Sequence, residues 1–134
     1  MITCVDSNVI LDVVTNDLNF ADESKRLLAE SYDSGSLLIC EIVYAEIAPR
    51  FSARDKLDRV LEKLGVQVAE GGLDVAYLAG CGWAAYRAAG GTRERLLADF
   101  YIGAHASLRG DCLLTRDRGF YKTYFPELRL IGAR

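Results

Sequence analysis

The 134-residue sequence predicts an α/β fold whose parallel sheet is buried on both faces, and three observations carry that prediction. Short runs such as ITCV and SLLIC are apolar without alternation, as strands covered on both sides are. Segments with apolar residues at helical spacing separate those runs, which is the pattern of a parallel sheet with helical connections. No internal repeat, linker or low-complexity stretch breaks the chain, so residues 1–134 read as one domain large enough to bury its own core.

The elements follow in order. ITCV (2–5) is a strand, followed by a helix over roughly 8–15. FADESKRLLAESYDSG (20–35) places Phe20, Leu27, Leu28 and Ser31 or Tyr32 at helical spacing and stops at Gly35. SLLIC (36–40) is a second strand, and EIVYAEIAPRF (41–51) a short helix that Pro49 ends or kinks. ARDKLDRVLEKLG (53–65) is strongly amphipathic, with Leu57, Val60, Leu61 and Leu64 on one face and Gly65 at its end. VQVAE (66–70) is a third strand. LDVAYLAGCGWAAYRAAGG (73–91) is a helix of small residues, its internal Gly80 and Gly82 consistent with close packing. TRERLLADFYIGAHASLRG (92–110) is another helix, DCLLT (111–115) a fourth strand, RDRGFYKTYF (116–125) a turn with a short helix, and LRLI (128–131) the last strand.

Composition narrows the class. Hydrophobic residues at 51% and charged residues at 26% are ordinary for a soluble globular protein, and no apolar run approaches a membrane span. No basic segment followed by a long apolar one opens the chain, so the cytoplasm is the expected compartment. Cys4, Cys40, Cys81 and Cys112 are widely spaced and the chain has one His, which argues against zinc and for reduced, mostly buried thiols. The net charge of −3 hides an asymmetry: residues 1–86 carry 7 basic and 14 acidic side chains, residues 87–134 carry 9 and 5. Eight of those nine basic residues are Arg, which pairs with phosphate bidentately, although a solvated basic surface has the same composition.

Four acids sit where acids are uncommon. Asp6 directly follows the first strand and Asp117 follows CLLTR, both at carboxyl ends of buried strands. Glu46 lies within IVYAEIA and Asp99 within LLADFYIGAHA, the latter stacked with Ile102, Gly103 and Ala106 on an inward face. A buried carboxylate needs a partner. Each has an ordinary reading: Asp6 as a helix cap, Asp117 as a turn residue, Glu46 and Asp99 paired with Arg50 or Arg95. If all four share one pocket beyond the strand ends, their repulsion demands a cation, and oxygen-only ligands suit Mg²⁺ or Mn²⁺. An aspartyl-phosphate mechanism at Asp6 would need a second Asp two residues on, where Asn8 stands.

VDSNVIL, the Glu of IVYAEI, LLADFYIGAHA and LLTRDRGFY occur in the order of PIN-domain ribonucleases, and the chain most resembles the VapC toxins of type II toxin–antitoxin pairs. That resemblance runs from Val5 to Ile131 and implies a three-layer α/β/α sandwich with a central parallel sheet. It implies that Asp6, Glu46, Asp99 and Asp117 line a Mg²⁺ site, with Mn²⁺ as substitute, and that the chain is a metal-dependent endoribonuclease. All four acidic positions are filled, and Ser7 stands where the family often has Thr. Partners implied are RNA, a cognate VapB-like antitoxin seated in a groove walled by residues 20–33 and 53–65, and a second copy of the chain. Hydrolysis by an ion-activated water would leave a 5′ phosphate and a 3′ hydroxyl.

Ser7 and Thr115 are hydroxyls beside the acids, able to contact phosphate or to cap. Arg93, Arg95, Arg116 and Arg118 flank the two late acids and are candidates for phosphate contact, with Arg93 where similar toxins often carry a basic residue. His105 lies six residues after Asp99, about 240° round the helix, and is read as structural. Trp83, Tyr77 and Tyr86 have the spacing of core or dimer packing. Two other readings stand beside the toxin: a PIN-domain nuclease acting in RNA processing or on DNA, and a non-catalytic binding module whose acids are held by Arg.

Overall fold

The computed structural model describes residues 1–92 and 95–132. Five strands, β1 (Ile2–Val5), β2 (Ser36–Ile39), β3 (Val66–Val68), β4 (Cys112–Leu114) and β5 (Arg129–Ile131), form one sheet in the order β3-β2-β1-β4-β5. Every neighbouring pair is parallel, with Thr3 opposite both Leu37 and Cys112, and Leu113 opposite Leu130. The central strands are covered on both faces: Thr3, Cys4, Val5 and all of β4 are buried. Unbroken apolar runs therefore end up at the middle of the sheet, where no face is left to water.

The helices are α1 (Ser7–Val14), α2 (Ala21–Asp33), α3 (Glu41–Ile47), α4 (Arg54–Leu64), α5 (Leu73–Ala88), α6 (Leu97–Arg109) and α7 (Arg118–Tyr124), with a 3-10 turn over Ala48–Arg50. From β1 the chain steps outward to β2 and β3, with α1, α2 and α4 grouped on one face. It then returns through α5 and α6 to place β4 on the other side of β1, and α7 leads to β5. Right-handed crossovers in opposite directions put the two sets on opposite faces, giving three layers. On the second face Trp83, Tyr86, Phe100, Phe120, Tyr124 and Phe125 pack ring against ring and tie α5, α6 and α7 together. Tyr77 is not part of this core; it is 77% exposed. α3 touches both α1 and α6, so it bridges the two layers.

Local signals act as the sequence suggests. α3 gives way to the 3-10 turn at Pro49, which has no amide to continue the helix. Gly65 closes α4 in the left-handed conformation (φ 73°). α6 differs from the expected 92–110 helix: it begins at Leu97 because the Asp99 carboxylate accepts the Leu96 N–H (2.9 Å) and caps the first turn there. Gly82 packs close, since a Cβ would lie 3.1 Å from Phe100, but Gly80 faces open space and close packing does not explain it. Gly103 does need its missing side chain, because a Cβ would come within 2.3 Å of the Phe125 ring.

His105 is buried, its Nε2 donating to the Ala69 carbonyl (2.6 Å) and its Nδ1 3.8 Å from the Cys4 sulfur. Cys4, Cys40 and Cys112 are buried and unpaired, and burial pushes Cys4 up to about 12 and Cys40 to about 11. Among the described residues no helix is long and apolar enough to cross a membrane.

Candidate active site

β1 and β4 are neighbours at the point where the connections reverse direction, and the chain leaves both at their carboxyl ends. Open α/β sheets have their crevice at that point. The Asp6 amide donates to the Leu114 carbonyl (2.9 Å), which extends the ladder by one residue and fixes Asp6 at the sheet's edge.

Asp6 is 5% exposed and caps α1. One carboxylate oxygen accepts the Ser7 N–H (2.7 Å); the other accepts the Thr115 hydroxyl (2.8 Å) and the Asn8 side-chain amide (3.3 Å). Burial raises its pKa, the bonds from Thr115, Ser7 and the Tyr121 hydroxyl oppose that rise, and the charge of Asp99 adds to it. Thr115, fully buried, also accepts the Asp117 N–H (2.9 Å), so one hydroxyl joins the loops after β1 and β4.

Glu46 reaches this edge from α3. The residue is exposed as a whole, but its carboxyl group is partly desolvated, which raises its pKa; the Ser7 hydroxyl stabilises the anion, and the charges of Asp6 and Asp99 raise the pKa further. Asp99 stands half-buried in the first turn of α6. Asp117 precedes α7, and both its oxygens are taken by Arg95: Nη2 donates at 3.3 Å and Nη1 bonds the second oxygen. The Arg95 guanidinium also lies over the Phe120 ring, 4.4 Å from its centre. Among the described residues no basic side chain forms an ion pair with Asp6, Glu46 or Asp99.

Asp6, Glu46 and Asp99 thus feel one another's charge, and Asp117 is linked to them through Tyr121. That buried phenol bonds Asp6, and burial followed by the charges of Asp6, Asp99 and Asp117 drives its pKa far above the usual tyrosine value. Among the described residues no three His, Cys, Asp or Glu side chains stand close enough together to hold a metal ion as they are placed here. The donor set nevertheless fits a hard divalent cation: its groups are carboxylate and hydroxyl oxygens, and among the described residues three of the four acids have no ion-pair partner.

Of the other expected contacts, Ser7 and Thr115 lie beside the cluster. Arg116, expected at a phosphate, is bound elsewhere: Nε and Nη2 donate to Asp12 at 2.7 and 2.9 Å, and the guanidinium stacks on Phe20 at 4.0 Å. Asp12 is 3% exposed and also accepts the Ser24 hydroxyl, so the pair is structural. Arg118 turns to the Gly132 carbonyl (3.4 Å). Arg93 lies outside the described residues. Tyr121 and Asp12 did not stand out in the sequence, and Asn8 did so only as the residue two places after Asp6. Tyr121 stands one helical turn after Asp117, so spacing from that acid could have found it.

The PIN domain profile matches residues 3–126. The fold is that of a chain of VapBC2 from Rickettsia felis, solved bound to a promoter DNA fragment (TM-score 0.72, 18% identity, 100% of both chains covered). It is shared with VapBC-1 of nontypeable Haemophilus influenzae (0.71, 21%, 98% of both chains). FitAcB of Neisseria gonorrhoeae is similar too (0.63, 20%, 98% of this chain and 96% of that one). No curated protein matches the chain. A profile covering all but the first two and last eight residues, on a sheet of the order β3-β2-β1-β4-β5 with its acids at the switch point, leaves one assignment: the chain belongs to the PIN domain family.

Proposed function

We propose that this chain is a Mg²⁺-dependent endoribonuclease, the toxin of a type II toxin–antitoxin pair. The observation that carries the reading is the electrostatic coupling of Asp6, Glu46 and Asp99 at the β1–β4 switch point, without a basic partner among the described residues. When bound, Mg²⁺, or Mn²⁺ in its place, supplies neutralisation of the phosphodiester and activation of a water. Asp6 and Asp99 would hold the ion, with Glu46 and Asp117 completing the set directly or through water. Asn8, Thr115 and Tyr121 hold the Asp6 carboxylate in one orientation. Glu46, the most exposed of the four, would orient a water and accept its proton. The products are a 5′ phosphate and a 3′ hydroxyl.

An antitoxin segment would lay apolar side chains into the cleft of about 390 Å³ between α2 and α4, walled by Lys25, Leu28, Tyr32 and Leu64. Support for this partner comes from a similar structure from Klebsiella pneumoniae, which is a toxin–antitoxin complex by name (TM-score 0.64, 19% identity). A homodimer has an apolar patch available in Leu73 and Tyr77 of α5, 87% and 77% exposed.

The test is cleavage of total RNA by the purified chain with Mg²⁺ or Mn²⁺, with chelator, and with Asp99→Asn, mapping the ends. Discrete cuts bearing 5′ phosphates, lost with chelator and in the variant, are expected. Cutting of DNA instead of RNA would move the assignment to the other nuclease reading. Binding without cutting would favour the module with Arg-held acids, for which the Arg95–Asp117 pair is a partial precedent.

A further inference from the structure

The Arg95–Asp117 pair sets a problem for an ion at this site. Both Asp117 oxygens face the guanidinium, which is itself braced over Phe120. The two side chains are about a third exposed (32% and 34%), so water reaches the pair and it can open. Arg95 precedes Asp99 by four residues, just before α6, and lies close enough for the charge of Asp99 to act on it as well.

We infer that Arg95 is an internal counter-cation for Asp117 that a divalent ion has to displace before all four acids can bind it. The inference rests on the metallonuclease reading and names the residue that sets that site's metal affinity. A guanidinium bonded to both oxygens occupies two of the carboxylate's four lone-pair sites and sets a positive charge against an incoming cation, so ion and Arg95 compete at Asp117. A partly exposed ion pair is weak, which makes it displaceable by a doubly charged ion while still reducing that ion's affinity. Arg95 is thus a positioning residue: it keeps Asp117 ordered and neutralised without the ion and yields it when the ion arrives.

The experiment is calorimetric titration of the full chain with Mn²⁺ in the absence of RNA, comparing wild type with Arg95→Met, which keeps the stem over Phe120 and removes the charge. Circular dichroism and thermal melting verify that each variant is folded. The Met variant is expected to bind Mn²⁺ about three- to tenfold more tightly, and Arg95→Lys to stay near wild type. In an Asp117→Asn background, Arg95→Met is expected to gain clearly less than in wild type, because only its longer-range charge on Asp99 is then removed, an outcome that a merely structural role for Arg95 does not produce. Equal or weaker binding by Arg95→Met, or the same gain in the Asn background, overturns the inference and leaves the metallonuclease reading standing. Failure of both wild type and Arg95→Met to bind Mn²⁺ overturns the two together.

Discussion

Enclosed by a threonine hydroxyl, an asparagine amide and a tyrosine phenol, the Asp6 carboxyl is held by bonds that favour its anion while burial disfavours it, and burial is the larger effect. A carboxyl whose folded pKa lies above its unfolded value binds its proton more tightly in the folded state. Stability therefore falls as pH rises from the ordinary carboxylate range through the folded pKa, and the loss is complete above it. In chelator, Asp6→Asn should melt higher than wild type near pH 8, on the order of a few degrees. The gap should close as pH falls toward about 4; a gap that ignores pH would mean that ionisation of Asp6 is not its cause. Thr115 makes an opposite case. Thr115→Val leaves one Asp6 oxygen with only the longer Asn8 bond and the Asp117 N–H without its partner, which should cost ~1–3 kcal/mol in denaturant melts, while Thr115→Ser should retain most of that stability.

Helix packing decides what its glycines are for. Gly80 faces open space on α5, so Gly80→Ala should stabilise by ~0.5–1 kcal/mol through helix propensity alone. Gly103→Ala should destabilise by ~1–3 kcal/mol, because its Cβ meets the Phe125 ring. Paired thermal melts read both signs, and matching signs would refute the packing account. The contrast also marks how far the sequence could be read. Strand positions, most helix positions and the four candidate acids could be read from apolar runs and from acids stranded among them, because those features are local. Which glycine packs is not local: Gly80 and Gly82 look alike in LAGCGW and differ only by what α6 brings against them. The same holds for Arg. RERL and TRDRG are basic on paper, yet Arg95 and Arg116 are consumed by Asp117 and by Asp12, whose side chains are 22 and 104 residues away in sequence. Asp12 itself gave no signal, lying on a short helix with no pattern to expose its burial.

At the scale of the whole molecule, the four acids come from the end of β1, from α3, from the start of α6 and from the loop after β4, so only the folded chain can bring them to one edge of the sheet. A cation that binds them binds the folded chain and not the unfolded one, and it must raise global stability by mass action. At about 100 times its dissociation constant the gain is ~2.7 kcal/mol. The same acids repel one another without the ion, and removing one charge relieves that repulsion. Asp99→Asn should therefore melt at or above wild type in chelator and below it in saturating Mg²⁺ or Mn²⁺, where wild type gains most and the variant little. This reversal of order separates an ion site from a surface effect of divalent salt, which would shift both proteins alike. Melting curves of the two proteins that keep the same order in chelator and in either ion would leave the acidic edge of the sheet without a metal, and the nuclease mechanism without its cofactor.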